Sequence, residues 1–322
     1  MLHGLQSGRP MDVYVEITGY AVSCFVFLHW RHGTPGQLEA AREAADYLMR
    51  IQAAGGDYAP FTFDTAMCIV GMVRLAAVTG EARFLESAVA AGQWLQACQR
   101  PDGSFTAMTP GAGGSAPGGF FGDGSCIHSK CAMALLELHA STGGEPWRDA
   151  AIRACDYTMT LQTQDGAFQA VPGDPEVFTH AHCYACEGLL FAGKRLSVER
   201  FVAGARRGVE WLETAQSADG SWHSRYKLDG SRHPRRWVLD RLLRPRPSDA
   251  AAQAARLMML SGRARTAGAA LDFLTSCQRQ DGGFAYQATR RGYSGFENTW
   301  SAQFAIQALT WDREQGDVDD LF

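Results

Sequence analysis

The stretch Phe273-Leu-Thr-Ser-Cys-Gln-Arg-Gln-Asp-Gly-Gly-Phe284 decides the fold, because the same phrase recurs three more times along the chain. The other copies are Trp94-Leu-Gln-Ala-Cys-Gln-Arg-Pro-Asp-Gly-Ser-Phe105, Tyr157-Thr-Met-Thr-Leu-Gln-Thr-Gln-Asp-Gly-Ala-Phe168 and Trp211-Leu-Glu-Thr-Ala-Gln-Ser-Ala-Asp-Gly-Ser-Trp222. In each copy an Asp-Gly pair follows a glutamine, and an aromatic residue closes the phrase. Such repetition is typical of architectures that stack one structural unit many times.

Each repeat unit contains one such glutamine, so the number of glutamines gives the number of units. With two degenerate copies they are Gln6, Gln52, Gln99, Gln162, Gln216 and Gln278, at spacings of 46, 47, 63, 54 and 62 residues. We interpret the glycine as the stop of the preceding helix, the glutamine as a bridge between backbone groups of neighbouring turns, and the aromatic residue as packing back on the helix. The phrase is therefore predicted to be structural rather than catalytic.

Each unit is predicted to contain two helices. Amphipathic stretches such as 37–52 and 198–216 form outer helices, and mostly apolar stretches form inner helices with polar groups at the first turn. The inner helices are predicted around 15–30, 63–79, 127–142, 179–192, 249–261 and 298–311. We predict an all-α fold, an (α/α)6 toroid of about six hairpins over residues 1–322, with an open solenoid as the alternative. The segment after Trp311 is expected to stand in for the sixth outer helix.

Charge and composition exclude several classes of protein. The chain has 30 basic and 34 acidic residues, a net charge of −4, which argues against a general nucleic-acid binder. No apolar run reaches the length of a membrane span, and residues 1–10 lack the apolar core of a signal peptide, so a cytoplasmic protein is expected. The nine cysteines lie mostly in predicted helices, which favours reduced, buried thiols.

The Gln-x-x-Asp-Gly-x-Phe/Trp phrase resembles the repeat of prenyltransferase β subunits and squalene/hopene-type cyclases over nearly the whole chain. The resemblance implies the toroid but not the chemistry, since the same barrel serves terpene cyclases, prenyltransferases, uronyl epimerases and polysaccharide lyases. The inner-helix starts Glu16-Ile-Thr-Gly-Tyr20, Phe63-Asp-Thr65 and Thr179-His-Ala-His-Cys-Tyr-Ala-Cys-Glu-Gly188 look closer to bacterial carbohydrate-active toroids similar to glucuronyl C5-epimerases.

Two departures count against terpene chemistry. Class II cyclases carry an Asp-x-Asp-Asp acid at the start of an inner helix, whereas Asp317-Val-Asp-Asp320 stands in the acidic C-terminal tail. A proton donor must work in a shielded cavity, so we interpret this match as chance. Prenyltransferase β subunits bind zinc through an Asp, a Cys and a His, and no clear copy of that set appears at corresponding positions.

The first turns of the inner helices are expected to line one cavity. The candidate catalytic residues are His180, Tyr184, His128, Glu16, Tyr20 and Asp64. The candidate substrate-binding residues are Lys130, His182, Glu187, Arg225, Arg235, Arg236, Trp237, Asp249, Gln253, Glu297, Asn298 and Trp300. The simplest alternative for Asp64, Asp249 and Asn298 is that each only caps its helix. Helix N-termini aimed at one cavity would also favour an anionic ligand.

The densest cluster runs from His180 to Glu187. Residues three or four apart share a helix face, so His180, Tyr184 and Glu187 stack on one side while His182 points elsewhere. One interpretation is acid–base catalysis by His180 and Tyr184, oriented by Glu187. The alternatives are that His182 and the cysteines are core residues, or that there is a zinc site. Its ligands would come from His180, His182, Cys183 and Cys186, with Cys126, His128 and Cys131 nearby.

Two insertions are expected at the mouth of the barrel. The insertion 223–247 holds eight Lys and Arg residues against two Asp, with Trp222, Tyr226 and Trp237 in or beside it. Arginine forks suit carboxylates, sulfates and phosphates, and aromatic faces suit sugar rings; a solvated loop or a nucleic-acid contact are the alternatives. The Gly-rich loop 109–125 lacks a P-loop Lys-Ser/Thr and is expected to form a wall or lid.

Together these features predict an enzyme acting on an acidic saccharide, either a uronate-containing glycan or a sugar nucleotide. Proton abstraction beside a carboxylate would give an epimerase or a lyase, with His180 and Tyr184 exchanging the proton with His128 or Tyr20. Arg225, Arg235 and Arg236 would bind the anion, and no cofactor, metal or nucleic-acid partner is expected. The alternatives are a class II-like terpene cyclase or prenyl-diphosphate enzyme, and a non-catalytic toroid that binds a glycan or a protein.

Overall fold

The computed structural model describes residues 5–6, 9–10, 13–109, 119–228, 245–289, 292–294, 297 and 299–322. These residues form mainly α-helices, which confirms the all-α prediction. The helices are α1 (Val15–His32), α2 (Gln37–Ile51), α3 (Thr62–Thr79), α4 (Ala82–Ala97), α5 (Cys131–Thr142), α6 (Glu145–Thr160), α7 (Thr179–Leu196), α8 (Glu199–Ala215), α9 (Ser248–Leu260), α10 (Ala264–Ser276) and α11 (Thr299–Arg313). A 3-10 turn, Cys126–Lys130, runs into α5.

The odd-numbered helices form an inner ring and the even-numbered helices an outer one. Successive inner helices contact one another, and α11 contacts α1, which closes the ring. Each outer helix packs against the inner helix that precedes it. The inner helices are apolar and mostly buried, because they face neighbours on both sides and the barrel interior. The structure is therefore a closed α/α toroid, as predicted, and the solenoid alternative is wrong.

The repeated glutamine joins each unit to the next, which confirms its predicted bridging role. Gln99 Nε2 donates to the carbonyl of Gly103 in its own turn, at 3.2 Å, and to that of Ala150 on α6, at 2.9 Å. We call this pair of bonds the glutamine latch. Three further latches join Gln52 to Gly56 and Ser87, Gln162 to Gly166 and Gly204, and Gln216 to Gly220 and Thr266. The aromatic residues Phe105, Phe168, Trp222 and Phe284 are buried behind the turns.

The glycine of the phrase has a different role from the predicted helix stop. α8 is capped at Gln216, and Gly220 lies four residues later, where its N–H donates to Ser217 O at 2.9 Å. Its φ of +83° is left-handed, a conformation that glycine adopts without strain. A Cβ at this position would overlap the carbonyl of Ala269 on α10. Glycine therefore lets the next outer helix approach the turn.

The C-terminal tail closes one end of the barrel rather than standing in for a sixth outer helix. The 3-10 turn Val318–Asp320 is held at the C-terminal ends of the inner helices, where Gln307 Nε2 donates to Asp320 O at 2.6 Å. Phe322 is buried against Phe27 and Phe304, with ring centroids 6.1 and 6.4 Å away. The Asp-x-Asp-Asp match thus lies at the end away from the first turns, where Asp319 pairs with Arg195 at 2.5 Å.

The described residues also form three small antiparallel sheets. β1 (Leu5–Gln6) pairs with β2 (Arg9–Pro10), β3 (Glu176–Phe178) with β4 (Arg225–Lys227), and β5 (Arg246–Pro247) with β6 (Gln287–Thr289), which also pairs with β7 (Gly292–Tyr293). β3 leads directly into α7, and β5 into α9. Among the described helices, α3 alone has the length and mean hydropathy, 1.4, of a possible membrane span. In the toroid 78% of α3 is buried, as for a core helix.

Candidate functional site

The first turns of the inner helices and the strands above them enclose a cavity of about 440 Å³, the main cavity. It is lined by Glu16, Phe63, Phe120, Phe121, Phe178, His180, Tyr184, Ser224, Arg225, Pro245, Pro247, Asp249, Ala250, Tyr286, Gln287 and Trp300. Six predicted site residues come together here: Glu16, His180, Tyr184, Arg225, Asp249 and Trp300. Asp64 and His128 line a neighbouring side cavity of about 150 Å³.

Glu16 is a buried carboxyl on the first turn of α1. Its Oε1 accepts a hydrogen bond from Trp300 Nε1 at 3.1 Å and a longer one from the Tyr184 hydroxyl at 3.5 Å. Burial raises the pKa of Glu16 well above its usual range, and the charge of Asp64 raises it further. Glu16 is therefore placed to hold a proton at the cavity wall.

Asp64 supplies a second carboxyl from the first turn of α3. Burial raises its pKa to about 7, while a hydrogen bond from Tyr14 acts in the opposite direction. The helix-cap alternative does not describe Asp64, because the N-cap of α3 is Phe61 and no side chain caps that helix. A buried acid without a capping role is free to serve the cavity.

Asp249 and His180 form the third polar group of the site. His180 Nδ1 lies 3.9 Å from Asp249 Oδ2, and burial raises the pKa of Asp249 to about 7. Desolvation lowers the pKa of His180 to about 3, so its imidazole is neutral at physiological pH. A group with a pKa near the working pH transfers protons best. Asp249 therefore suits acid–base work better than His180, the residue that the sequence favoured.

Arg225 is the only Lys or Arg among the described residues that line the main cavity. The register of β3 with β4 places it opposite Phe178, and its guanidinium lies 4.8 Å from the centroid of that ring. Glu176 approaches it at 3.6 Å, and the side chain stays 36% exposed. Arg225 can therefore still offer N–H groups to a carboxylate on a ligand.

Aromatic side chains make up much of the remaining wall, and sequence reasoning missed most of them. Phe120 and Phe121 come from the described end of the Gly-rich loop, Phe178 from β3, and Tyr286 from the segment before β6. The ring centroids of Phe120 and Phe178 lie 5.2 Å apart. Flat aromatic faces of this kind bind sugar rings or polyene chains through their apolar surfaces.

Lys130 and Glu187, predicted to bind substrate, lie below the cavity in a fully buried ion cluster. Glu187 accepts hydrogen bonds from Lys130 Nζ at 3.1 Å and from Arg256 at 2.6 Å. Lys130 also donates to Phe322 O at 2.9 Å, and its ammonium lies 5.1 Å from the Tyr184 ring centroid. We call these residues the floor cluster. Glu187 shares the helix face of His180, as predicted, but it does not orient His180. It pairs instead with Lys130 and Arg256.

His182 belongs to the core. Its Nδ1 accepts from the backbone N–H of Phe168 at 3.1 Å, and Nε2 lies 2.9 Å from Gly208 O, so it donates there. The nine cysteines are all buried and free. No group of three or more potential metal ligands occurs in the part of the chain that the structure describes. These contacts match the core interpretation of His182 and the cysteines.

Three further predicted residues that the structure describes, Tyr20, Gln253 and Glu297, line neither cavity. Tyr20 is buried, with its ring centroid 5.3 Å from Lys130 Nζ. Gln253, on α9, is buried beside His180 of α7. Glu297 pairs with Arg279 at 2.6 Å. Arg235, Arg236, Trp237 and Asn298 lie outside the described residues, as do most of the basic insertion and the centre of the Gly-rich loop.

Taken together, the cavity offers proton-transfer groups at different protonation states. Glu16 favours its protonated form, Asp249 titrates near neutral pH, and His180 remains neutral. The pKa of Tyr184 is raised by burial, so its hydroxyl stays a hydrogen-bond donor. Such a set can remove a proton at one point of a ligand and supply one at another.

The family comparison agrees with this architecture. The prenyltransferase α-α toroid domain matches residues 15–175 and 126–312. No functionally curated protein matches the chain by sequence.

Solved structures of similar shape include several sugar-acting enzymes. The unsaturated glucuronyl hydrolase of Bacillus sp. GL1 superposes with a TM-score of 0.74 at 16% identity, over 98% of this chain and 91% of that one. Cellobiose 2-epimerase from Spirochaeta thermophila gives 0.76 at 17% identity, over 99% and 90%. A D-mannose isomerase gives 0.75 at 12% identity, over 96% and 90%. At these identities the similarity establishes the fold.

Proposed function

This chain belongs to the prenyltransferase α-α toroid domain family, and we propose that it is an enzyme that processes a saccharide by acid–base proton transfer. The observation that carries the proposal is the placement of two buried carboxyl groups, Glu16 on α1 and Asp249 on α9, in one aromatic-lined cavity. Structural neighbours named as a glucuronyl hydrolase, a cellobiose epimerase and a mannose isomerase support a sugar as the ligand.

The finer proposal is epimerisation or β-elimination of an acidic saccharide. Asp249, as carboxylate, takes the proton from the carbon beside the substrate carboxylate, and the electron pair moves into that carboxylate. Arg225 holds the oxygens on which the charge develops. Protonation of the opposite face by a cavity acid such as Glu16 gives the epimer. In the elimination, the oxygen substituent on the adjacent ring carbon leaves instead, protonated by the same acid, and a carbon–carbon double bond forms between the two ring carbons.

The predicted roles of His180 and Tyr184 change in this proposal. A histidine with a pKa of about 3 is a weak base, and a tyrosine with a raised pKa is a weak acid. Both groups instead orient sugar hydroxyls as neutral hydrogen-bond partners. Trp300 keeps Glu16 in place through its indole N–H.

Solvent-deuterium exchange tests the proposal directly. Glucuronate-containing oligosaccharides are incubated with the protein in D2O, and deuterium at C5, epimer and unsaturated product are followed by NMR and mass spectrometry. Asp249→Asn is expected to lower the rate by at least about a hundredfold. Asp156→Asn is the matched control, since Asp156 only pairs with Arg200 on the outer surface. Exchange that survives Asp249→Asn would refute the assignment of the base.

The aromatic wall favours a second candidate, cyclisation of a polyene or prenyl substrate. Seven Phe, Tyr and Trp residues line the main cavity, and their faces can stabilise cationic intermediates. Asp249, in its protonated form, would then be the proton donor, because the Asp-x-Asp-Asp segment lies at the other end of the barrel. Incubation with squalene or geranylgeranyl diphosphate, followed by gas chromatography of extracted products, separates this candidate from the saccharide enzyme.

A further inference from the structure

The side cavity opens beside the main cavity and shares two of its walls. Phe63 and Phe121 line both spaces, while Tyr14, Asp64 and His128 complete the side cavity together with three apolar residues. Its volume of about 150 Å³ compares with about 440 Å³ for the main cavity. A ligand that occupies both cavities would therefore lie against Phe63 and Phe121.

His128 is the polar group that points to a ligand there. It is 4% exposed, and its Nδ1 has no hydrogen-bond partner among the described residues. A buried nitrogen without a partner carries a free-energy cost that a bound hydroxyl would remove. Asp64 adds a carboxyl group on the neighbouring helix.

The two cavities differ in charge. Arg225 lines the main cavity, whereas no Lys or Arg occurs among the described residues that line the side cavity. The Asp64 carboxyl, the acidic group of this lining, makes a second anionic group unfavourable there. Neutral hydroxyls can instead donate to Asp64 and His128, and the apolar face of a sugar ring can rest on Phe121.

We propose that the side cavity is a subsite for a neutral sugar ring, so that the substrate is at least a disaccharide with its acidic ring toward Arg225 and a neutral ring beside His128 and Asp64. This inference rests on the proposed saccharide function and adds the length and the charge order of the substrate. The reacting ring occupies the main cavity, and the neutral ring anchors it from the side.

Calorimetric binding of three defined sugars tests the proposal: glucuronic acid, glucuronyl-glucose and the doubly acidic glucuronyl-glucuronic acid. The wild type is expected to bind glucuronyl-glucose about tenfold tighter than either of the others. His128→Ala is expected to reduce the ratio of the affinities for glucuronyl-glucose and glucuronic acid toward one. Phe121→Ala is a second variant with the same expected effect, since its side chain is 40% exposed and its removal leaves the core intact.

Trp30→Ala is the matched control, because Trp30 is a 49% exposed aromatic residue at the other end of α1. It should leave all three affinities unchanged. Equal affinity for the acid and both disaccharides, or tighter binding of the doubly acidic one, would overturn the neutral subsite while the acidic-saccharide function stands. Absence of binding by all three sugars would instead overturn the proposed function, and the subsite with it.

Discussion

The turn glycines allow a test of how the toroid is held together. Gly220 and Gly282 occupy the same place in two copies of the repeat and have nearly the same left-handed φ, +83° and +89°. They differ in their surroundings. A Cβ on Gly220 would overlap the carbonyl of Ala269 and lie 3.2 Å from the nitrogen of Ala270, whereas a Cβ on Gly282 would meet nothing within 4 Å. An alanine substitution at Gly282 therefore measures the backbone strain alone. An alanine substitution at Gly220 measures the same strain together with the clash against the next outer helix.

The expected magnitudes follow from these contacts. Alanine in the left-handed region costs about 1–2 kcal/mol at either position, and the lower entropy of the unfolded chain returns roughly 0.4–1 kcal/mol. Gly282→Ala should thus lower the free energy of unfolding by about 1 kcal/mol. Gly220→Ala adds the overlap with the α10 backbone, which costs about 1–3 kcal/mol for a crowded interior. The difference between the variants should be at least about 1 kcal/mol.

Equilibrium denaturation in urea measures both values, with unchanged slopes as the check that the unfolded states are comparable. The backbone of α10 can relieve the overlap only by moving, which also weakens the bond from Gln216 to Thr266 O. If Gly282→Ala destabilises the protein as much as Gly220→Ala, close approach of the outer helix is not the reason for the glycine, and strain in the turn alone explains it.

Three further predictions concern the cavity and its floor. The pKa of Asp249 is about 7 in the folded protein and 3.8 ordinarily, so the folded state binds the proton more tightly than the unfolded state. Proton binding therefore stabilises the fold at low pH, and this stabilisation is lost as the pH rises from about 4 through 7. The free energy of unfolding of Asp249→Asn, relative to that of the wild type, should therefore rise by on the order of 4 kcal/mol between about pH 4 and pH 8, measured by denaturation at both values. Glu187→Gln leaves Lys130 and Arg256 as uncompensated buried cations and should lower the free energy of unfolding by about 3–5 kcal/mol; a change within error would show that the floor cluster is hydrated. Arg225→Met should lower kcat/KM for a uronate substrate by about ten- to a hundredfold, with little change for its neutral analogue, in steady-state assays of both.

The repeat made the toroid predictable because its structural needs are local. A glutamine that reaches its own turn and a glycine four residues later are visible in one short phrase, and the apolar stretches between phrases mark the inner helices. The role of the glycine does not follow from the sequence, because glycine is needed where a helix about 50 residues further along approaches the turn, as Ala269 approaches Gly220. The position of the tail likewise depends on contacts between residues far apart in the sequence.

The site was partly predictable. First-turn residues such as Glu16, Asp64 and Asp249 were expected near the cavity because inner helices start there. The same helical spacing carried Glu187 two turns below His180, to a depth where it meets Lys130 and Arg256 instead of a ligand. The aromatic walls come from loops and strands whose positions depend on the whole ring, so neither Phe178 nor Tyr286 had a local signal. His180 was favoured as a base because sequence does not show how far desolvation lowers a pKa.

The glutamine latches also give the ring a direction and a seam. Each of four latches reaches forward to the following outer helix, but Gln278 donates only within its own turn, to Gly282 O at 3.4 Å, and no outer helix follows α10 among the described residues. At this point the ring is closed by the contact of α11 with α1 and by the tail. Amide hydrogen exchange should therefore be fastest around α10 and α11 and slowest in the latched middle of the chain. This result would show that local unfolding of the ring begins at the unit that lacks a latch.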